Sequence, residues 1–252
     1  MSSKQRNQVM VVFHILNLID RPDRLKETLS EITKLNGVKK QVIVHHTERR
    51  SDGDGKLGCF LGHRSIWKKI ANTQSSDREL HIICEDDLRL DHDGFVDAVY
   101  DVCEYRNQWD IVCFGWFPLS SSVDQNNEKF KRICLGGMAH CYSVSYDWAN
   151  SNQNANYPGY NHDLWMFRDG KRGFRVVGHI PMVAYQGQQT SDIPTRMYKT
   201  RDLWWKLCPI EKTLGLSEKT KSFWNVFLIV FVLIFVTMIF KKAKRRRSKI
   251  IL

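Results

Sequence analysis

Short apolar runs alternate with amphipathic stretches through the first half of the chain, and that alternation sets the expected fold. Val9 to Leu18 reads as a buried strand. Arg24 to Leu35 puts Leu25, Leu29 and Ile32 on one helical face, and Asn36-Gly37 supplies the stop. Gln41 to His45 reads as a second strand. A turn-rich stretch, Ser51 to Gly55, leads into a helix from Cys59 to Asn72, and polar Thr73 to Arg78 connects onward. Ile82-Ile83-Cys84 forms the apolar end of a third strand, Gly94 to Arg106 a helix, and Trp109 to Phe114 a fourth strand. This β-α-β-α-β-α-β order predicts an α/β fold, a three-layer sandwich with a mostly parallel sheet.

The pattern then loses regularity. Pro118 to Lys129 is rich in Ser, Asn and Asp and reads as a loop. Phe130 to Leu135 and His140 to Val144 read as strands on either side of Gly136-Gly137, and a second polar loop runs from Asn150 to Asn161. Asp163 to Arg168 looks helical, while Phe174 to Val177 and Met182 to Tyr185 look like short strands. The expected organisation is a polar N-terminus (1–8), one domain (9–195), a stalk (196–222), an apolar span (223–240) and a basic tail (241–252).

The net charge of +11 first suggests a nucleic-acid binder, but its distribution argues otherwise. Seven basic residues, Lys241 to Lys249, crowd the last twelve positions with no acid among them, and without them the chain carries +4. The excess belongs largely to the tail, so no nucleic-acid partner is expected. Phe223 to Phe240 is eighteen residues without a formal charge and apolar on every face. At helical rise it spans about 27 Å, close to the hydrocarbon thickness of a bilayer. It reads as a single C-terminal transmembrane helix, and the tail as a flank for anionic lipid headgroups.

No signal-peptide pattern precedes the domain, so the expected arrangement is a tail anchor with the domain in the cytosol. The positive-inside tendency would instead keep the tail cytosolic and place the domain across the membrane, and the orientation stays open. Seven scattered cysteines without CxxC spacing argue against a zinc site, and no Asn-x-Ser/Thr sequon occurs. Both fit a reducing compartment.

The chemistry concentrates where the third strand ends in Glu85-Asp86-Asp87. Three consecutive carboxylates repel one another unless a cation or donor groups satisfy them. In open α/β sheets ligands gather outside the carboxyl ends of the strands, where this cluster falls. Hard oxygen ligands suit Mn2+ or Mg2+, with solvated acids at a strand exit as the plain alternative. Alternate strand residues share a face, so Glu85 and Asp87 would point one way and Asp86 the other.

Four stretches in order resemble glycosyltransferase family 25, which includes bacterial lipooligosaccharide glycosyltransferases and the C-terminal domain of procollagen galactosyltransferases. Ile15-Leu16-Asn17-Leu18-Ile19-Asp20-Arg21-Pro22-Asp23-Arg24 is similar to the family's opening strand and turn. Lys56-Leu57-Gly58-Cys59-Phe60-Leu61-Gly62-His63 resembles its Gly-Cys-x-x-Ser-His block, with Gly62 where Ser is usual. Glu85-Asp86-Asp87-Leu88-Arg89 resembles its acidic metal motif, and Ile180 to Ile193 its closing segment.

The resemblance implies a GT-A-like nucleotide-sugar-binding fold and inverting transfer of a hexose, galactose or glucose, from a UDP-sugar donor to an acceptor hydroxyl on a glycan or glycoprotein. It implies Glu85 and Asp87 as metal ligands, and Asn17, Arg21, Arg24, Gly58, His63 and Asp86 as donor-binding residues. Asp163 is the candidate base, against a plain reading as a helix cap. Arg24 has the plain alternative of pairing with Glu27 or Glu31, His63 that of a satisfied helix-face histidine, and Cys59 reads as packing. Trp109, Trp116, Trp148 and Trp165 read as core, with Trp116 also placed to stack on a sugar ring. The competing function is a non-catalytic, membrane-tethered sugar- or partner-binding protein on a degenerate transferase fold, motivated by Gly62 and the stalk.

Overall fold

A computed structural model of the chain describes residues 9–73, 79–123, 127–168 and 170–187. The polar N-terminus (1–8), residues 188–193 of the closing segment, the stalk, the transmembrane span and the tail lie outside the described residues. Among the described residues, no helix is long and apolar enough to cross a membrane.

The strands are β1 (Met10–Leu18), β2 (Lys39–Thr47), β3 (Glu79–Glu85), β4 (Leu88–Leu90), β5 (Ile111–Val123), β6 (Phe130–Val144), β7 (Val176–His179) and β8 (Ala184–Gln186). The helices are α1 (Pro22–Thr33), α2 (Gly55–Ala71), α3 (His92–Glu104), α4 (Tyr146–Asn152) and α5 (His162–Arg168). Six strands form one sheet in the order β2-β1-β3-β6-β5-β7, and β4 pairs with β8 beside it. β2-β1-β3 are parallel, whereas β6 runs antiparallel to β3, β5 and β7. The sheet is therefore mixed. Its parallel part follows the βαβ alternation of the first half, and its antiparallel part is the β5–β6 hairpin.

Two-residue periodicity splits β1 between two cores. Val9, Val11, Phe13 and Ile15 face one side, with Ile32 and Leu35 from the α1 region and Phe95, Ala98, Val99 and Val102 from α3. Leu16 faces the other, with Phe60, Ile66, Trp67 and Ile70 of α2, Trp148 of α4, and Trp165, Met166 and Phe167 of α5. The molecule is a three-layer α/β sandwich around two buried layers.

Local chemistry accounts for the boundaries that differ from expectation. α2 starts at Gly55 because Asp54 caps it, accepting from the Leu57 N–H at 2.9 Å. α4 lies partly in the stretch read as loop, capped by Ser145, whose Oγ accepts from the Trp148 N–H at 3.2 Å. Trp148 then stacks edge-on to Trp67, 5.0 Å between centroids, and Trp67 lies 5.3 Å from Trp165. These indoles hold α2, α4 and α5 together. β5 continues to Val123 and β6 is unbroken from Phe130, so the expected loop is largely hairpin. Trp116 consequently sits inside β5, 7% exposed, with its indole N–H aimed at the His179 carbonyl. That makes it a packing residue and leaves no open ring face for a sugar.

Gly178 on β7 shows how tight that packing is. A Cβ there would lie 2.1 Å from the Trp116 indole, a rigid ring with nowhere to retreat. Gly178→Ala is expected to lower stability by about 2 kcal/mol, read from urea unfolding. A change near zero would show that the indole can move.

A row of histidines crosses the parallel strands. His14 Nδ1 is 3.0 Å from His45 Nε2, and His14 Nε2 is 3.1 Å from His81 Nδ1. Burial, then His81 and His45, lower the His14 pKa from 6.5 to about 3. Below pH 6.5 the unfolded chain binds a proton that folded His14 excludes until about pH 3. Stability is therefore fully present above that window and is lost as pH falls through it. The His14 contribution is up to about 1.4 kcal/mol per pH unit. Unfolding measured from pH 7 to pH 4.5 should show this slope, and His14→Gln should reduce it.

Candidate active site

The chain leaves β1 toward β2 on one side and returns to β3 on the other, so the carboxyl ends of β1 and β3 flank a topological switch point. Their register places Leu16 opposite Glu85, which brings the Asn17 to Arg24 turn against Glu85-Asp86-Asp87. Period-two geometry then separates the acids.

Asp86 turns toward the first turn of α1. Its Oδ2 accepts from the Asn17 side-chain amide at 2.9 Å and the Leu18 N–H at 3.4 Å, and Arg24 lies 3.6 Å from Oδ1. The second Asn17 amide proton goes to the Arg21 carbonyl at 3.1 Å, and Asn17 Oδ1 meets His46 Nδ1 at 3.2 Å. Asn17, Arg24 and Asp86 are all buried. Burial pushes the Asp86 carboxyl up from its ordinary value, opposed by the Asn17 amide and the Arg24 charge. These three residues form the floor of the crevice, and half-buried Arg21 stands at its edge.

Glu85 turns toward α2. Its Oε1 is 3.5 Å from His63 Nε2, and its Oε2 is 3.4 Å from the Gln186 amide nitrogen. His63 is fully buried, and burial lowers its pKa to about 3, so the ring is neutral. Its Nδ1 is 2.9 Å from the Tyr142 hydroxyl, which also accepts from the Trp67 indole N–H at 2.9 Å. An indole can only donate, so the Tyr142 oxygen accepts from Trp67 and its own proton is free to go to His63 Nδ1, which places the ring proton on Nε2. Trp67, Tyr142 and His63 thus line up behind Glu85, with His63 Nε2 3.5 Å from Oε1 and not hydrogen-bonded to it. With no exposed surface of its own, His63 reaches the crevice through Glu85.

Asp87 is partly exposed, and its carbonyl accepts from the Gly187 N–H at 2.6 Å, joining the acid turn to the end of β8. Asp163 enters from α5. It lies in the first turn of the helix, after His162, so it is not the cap; its Oδ1 accepts from the Leu164 N–H at 2.7 Å, and its Oδ2 would lie 3.4 Å from a Cβ at Gly137 on β6. Burial chiefly, and then Glu85, Asp163, Asp87 and Asp86, push the Cys59 thiol far above its ordinary value. Glu85 and Asp87, the partly exposed acids of the turn, offer oxygen donors of the kind a hard divalent cation takes.

Gly58 and Gly62 have separate surroundings. A Cβ at Gly58 would make only ordinary contact with Arg50, whereas one at Gly62 would lie 2.6 Å from Leu16 Cδ1 on β1. The Ser usual at position 62 would direct its Cβ at Leu16, and Gly62 instead allows α2 to approach the sheet closely.

Sequence reasoning passed over His162 and took Cys59 for packing alone. The Cys59 Sγ lies 3.4 Å from His162 Nδ1, and His162 stacks on His63 with centroids 3.8 Å apart. The available signal was the four-residue spacing of Cys59 and His63, which puts both on one face of α2. Nothing local pairs His162 with that face, because the two are 99 residues apart in sequence between His63 and His162.

Removing either partner of the buried Arg24–Asp86 pair leaves the other charge uncompensated. Asp86→Ala and Arg24→Ala should each cost about 3 kcal/mol of stability. The double variant should lose clearly less than the sum of the two. Additive losses in urea unfolding would contradict a direct coupling.

Residues 3–114 match the family model described as "Glycosyltransferase family 25 (LPS biosynthesis protein)". Over 66 residues the chain is 32% identical to procollagen galactosyltransferase 2 of Mus musculus and 30% identical to that of Homo sapiens. Each alignment takes in 24% of this chain and 10% of the relative, so the chain spans only a small part of the proteins it matches. The family match includes Asn17, Arg21, Arg24, Gly58, His63 and the three acids, while His162 and Asp163 lie beyond it. The part of the chain similar to glycosyltransferase family 25, residues 3–114, thus runs from β1 into β5 and includes both sides of the switch point.

Proposed function

We propose that this chain is a glycosyltransferase that moves a hexose, galactose or glucose, from a UDP-sugar to an acceptor hydroxyl of a glycan or glycoprotein. The observation that carries the reading is the meeting of the Asn17–Arg24 turn with Glu85-Asp86-Asp87 at the β1/β3 switch point, inside the segment similar to family 25. A GT-A-like arrangement of donor beneath acceptor accords with the parallel β2-β1-β3 half of the sheet.

Breaking the glycosidic bond leaves growing negative charge on a nucleoside diphosphate. A divalent ion, Mn2+ or Mg2+, would be held by Asp87 and Glu85 and would supply Lewis-acid stabilisation of that charge. Arg21 pairs with phosphate at the crevice edge. Asn17, Arg24 and Asp86 fix the floor on which the donor lies, and His63 orients Glu85 from behind. Asp163 accepts the proton of the attacking hydroxyl as an inverting mechanism requires, with Oδ1 fixed by the Leu164 N–H. Phe223 to Phe240 anchors the chain in a bilayer and Lys241 to Lys249 contacts anionic headgroups, a reading supported by span length and charge. Gly62 faces Leu16, which weakens the case for a degenerate, non-catalytic fold.

The test is sugar transfer or donor hydrolysis by the full chain with UDP-galactose and UDP-glucose in the presence of manganese. Asp87→Asn should lower kcat/KM by about 100-fold or more, and Asp163→Asn by about 100- to 10,000-fold with UDP binding retained. Wild-type chain that binds UDP but transfers nothing would favour the binding-protein reading. Activity unchanged in Asp87→Asn would refute the metal assignment.

A further inference from the structure

Four ligand-type side chains from three elements meet behind the acid turn. Cys59 and His63 project from α2, Glu85 ends β3, and His162 opens α5. One potential ligand atom from each lies within 4.8 Å of every other. We propose that Cys59, His63, Glu85 and His162 form a site for a divalent ion of the zinc type, which shares Glu85 with the oxygen site expected of the sugar-transfer reaction and differs from it in its sulfur and nitrogen ligands.

The donor set argues for this class. One sulfur, two imidazole nitrogens and one carboxylate oxygen suit zinc or cobalt, whereas magnesium and manganese prefer oxygen. In a tetrahedral site with metal–ligand bonds of about 2.0–2.3 Å, neighbouring ligand atoms stand about 3.4–3.6 Å apart. Cys59 Sγ to His162 Nδ1 is 3.4 Å, and His63 Nε2 to Glu85 Oε1 is 3.5 Å. Two opposite edges of the tetrahedron are therefore already near length. His63 Nε2 is buried, has no hydrogen-bond partner, and faces this cluster.

Uptake of the ion changes two protons. The Cys59 thiol releases its proton to solvent and binds as thiolate, reversing the upward push that burial and the carboxylates exert on it. His63 then holds its proton on Nδ1 instead of Nε2 and donates it to the Tyr142 oxygen, whose own hydroxyl proton rotates away from the ring. The His63 and His162 rings are stacked with planes 13° apart, so one must tilt for both lone pairs to converge. His63 is fixed by Tyr142, and His162 on the two-turn α5 is the ring that moves. The ion would fasten α5, which carries Asp163, to the segment similar to family 25. Glu85 would present Oε1 to it and leave Oε2 on the Gln186 side.

The test uses the full chain, stripped with a chelator and titrated with cobalt(II). One equivalent should bind with a thiolate-to-cobalt charge-transfer band in the near ultraviolet and visible bands of a four-coordinate ion. Zinc should displace it, and excess manganese should not. Cys59→Ser should abolish the charge-transfer band, and His162→Gln and Glu85→Gln should each weaken cobalt binding at least about tenfold. Cys134→Ser, at an exposed thiol, should change nothing. Should Cys59→Ser fail to fold, the His162 and Glu85 variants decide. No stoichiometric uptake by wild-type chain, an unchanged spectrum in Cys59→Ser, or unweakened binding in both other variants would overturn the site. Asp87→Asn separates this proposal from the transfer reaction, since the cobalt spectrum should survive it whether or not transfer does.

Discussion

The Asn17 amide of β1 reaches across to Asp86, just past the end of β3, at 2.9 Å, while Arg24 approaches the other carboxylate oxygen at 3.6 Å. A buried carboxylate is tolerated only when donors and charge replace its water, and here the replacements come from a turn adjacent in space but 69 residues away. That contact fixes how the first turn of α1 sits against the end of β3. It therefore fixes the shape of the crevice at the switch point. Without it, Arg21 at one edge and Asp87 at the other would have no common frame.

Because Asp86 is consumed by this contact, strand alternation sends its neighbours elsewhere. Glu85 meets a neutral, wholly enclosed His63, whose orientation descends from the Trp67 indole through Tyr142. The same aromatic layer includes Trp148 and Trp165, so the packing that holds α2, α4 and α5 also aims the polar chain at Glu85. Core and site are not separate systems on this face of the sheet. The opposite face, with Phe13, Phe95 and Val99, packs α1, whose Arg24 reaches Asp86.

Much of this was legible from the chain. The βαβ alternation located β1 to β3, and the position of Glu85-Asp86-Asp87 at a strand end pointed to the crevice before any fold was known. The opposite directions of Glu85 and Asp86 accord with period two. Less visible were the features that depend on distant partners. The Ser, Asn and Asp content of residues 118–129 suggested a loop because a hairpin's length is set by its ladder, not by propensity. Trp116 lost its sugar-stacking reading once β5 extended past it and Gly178 proved to lie under its ring. Gly62, where Ser is usual in the family block, lies close against the Leu16 side chain, a contact that no local pattern announces. His162 was passed over because its partners sit on an earlier helix, and no local spacing links them.

The central claim is that the crevice between β1 and β3 binds a nucleoside diphosphate through a divalent ion. Calorimetric titration of the full chain with UDP, with and without manganese, tests it most directly. The account predicts binding at a single site that requires the ion. Absence of binding under both conditions, or binding of equal strength without any divalent ion, would contradict it.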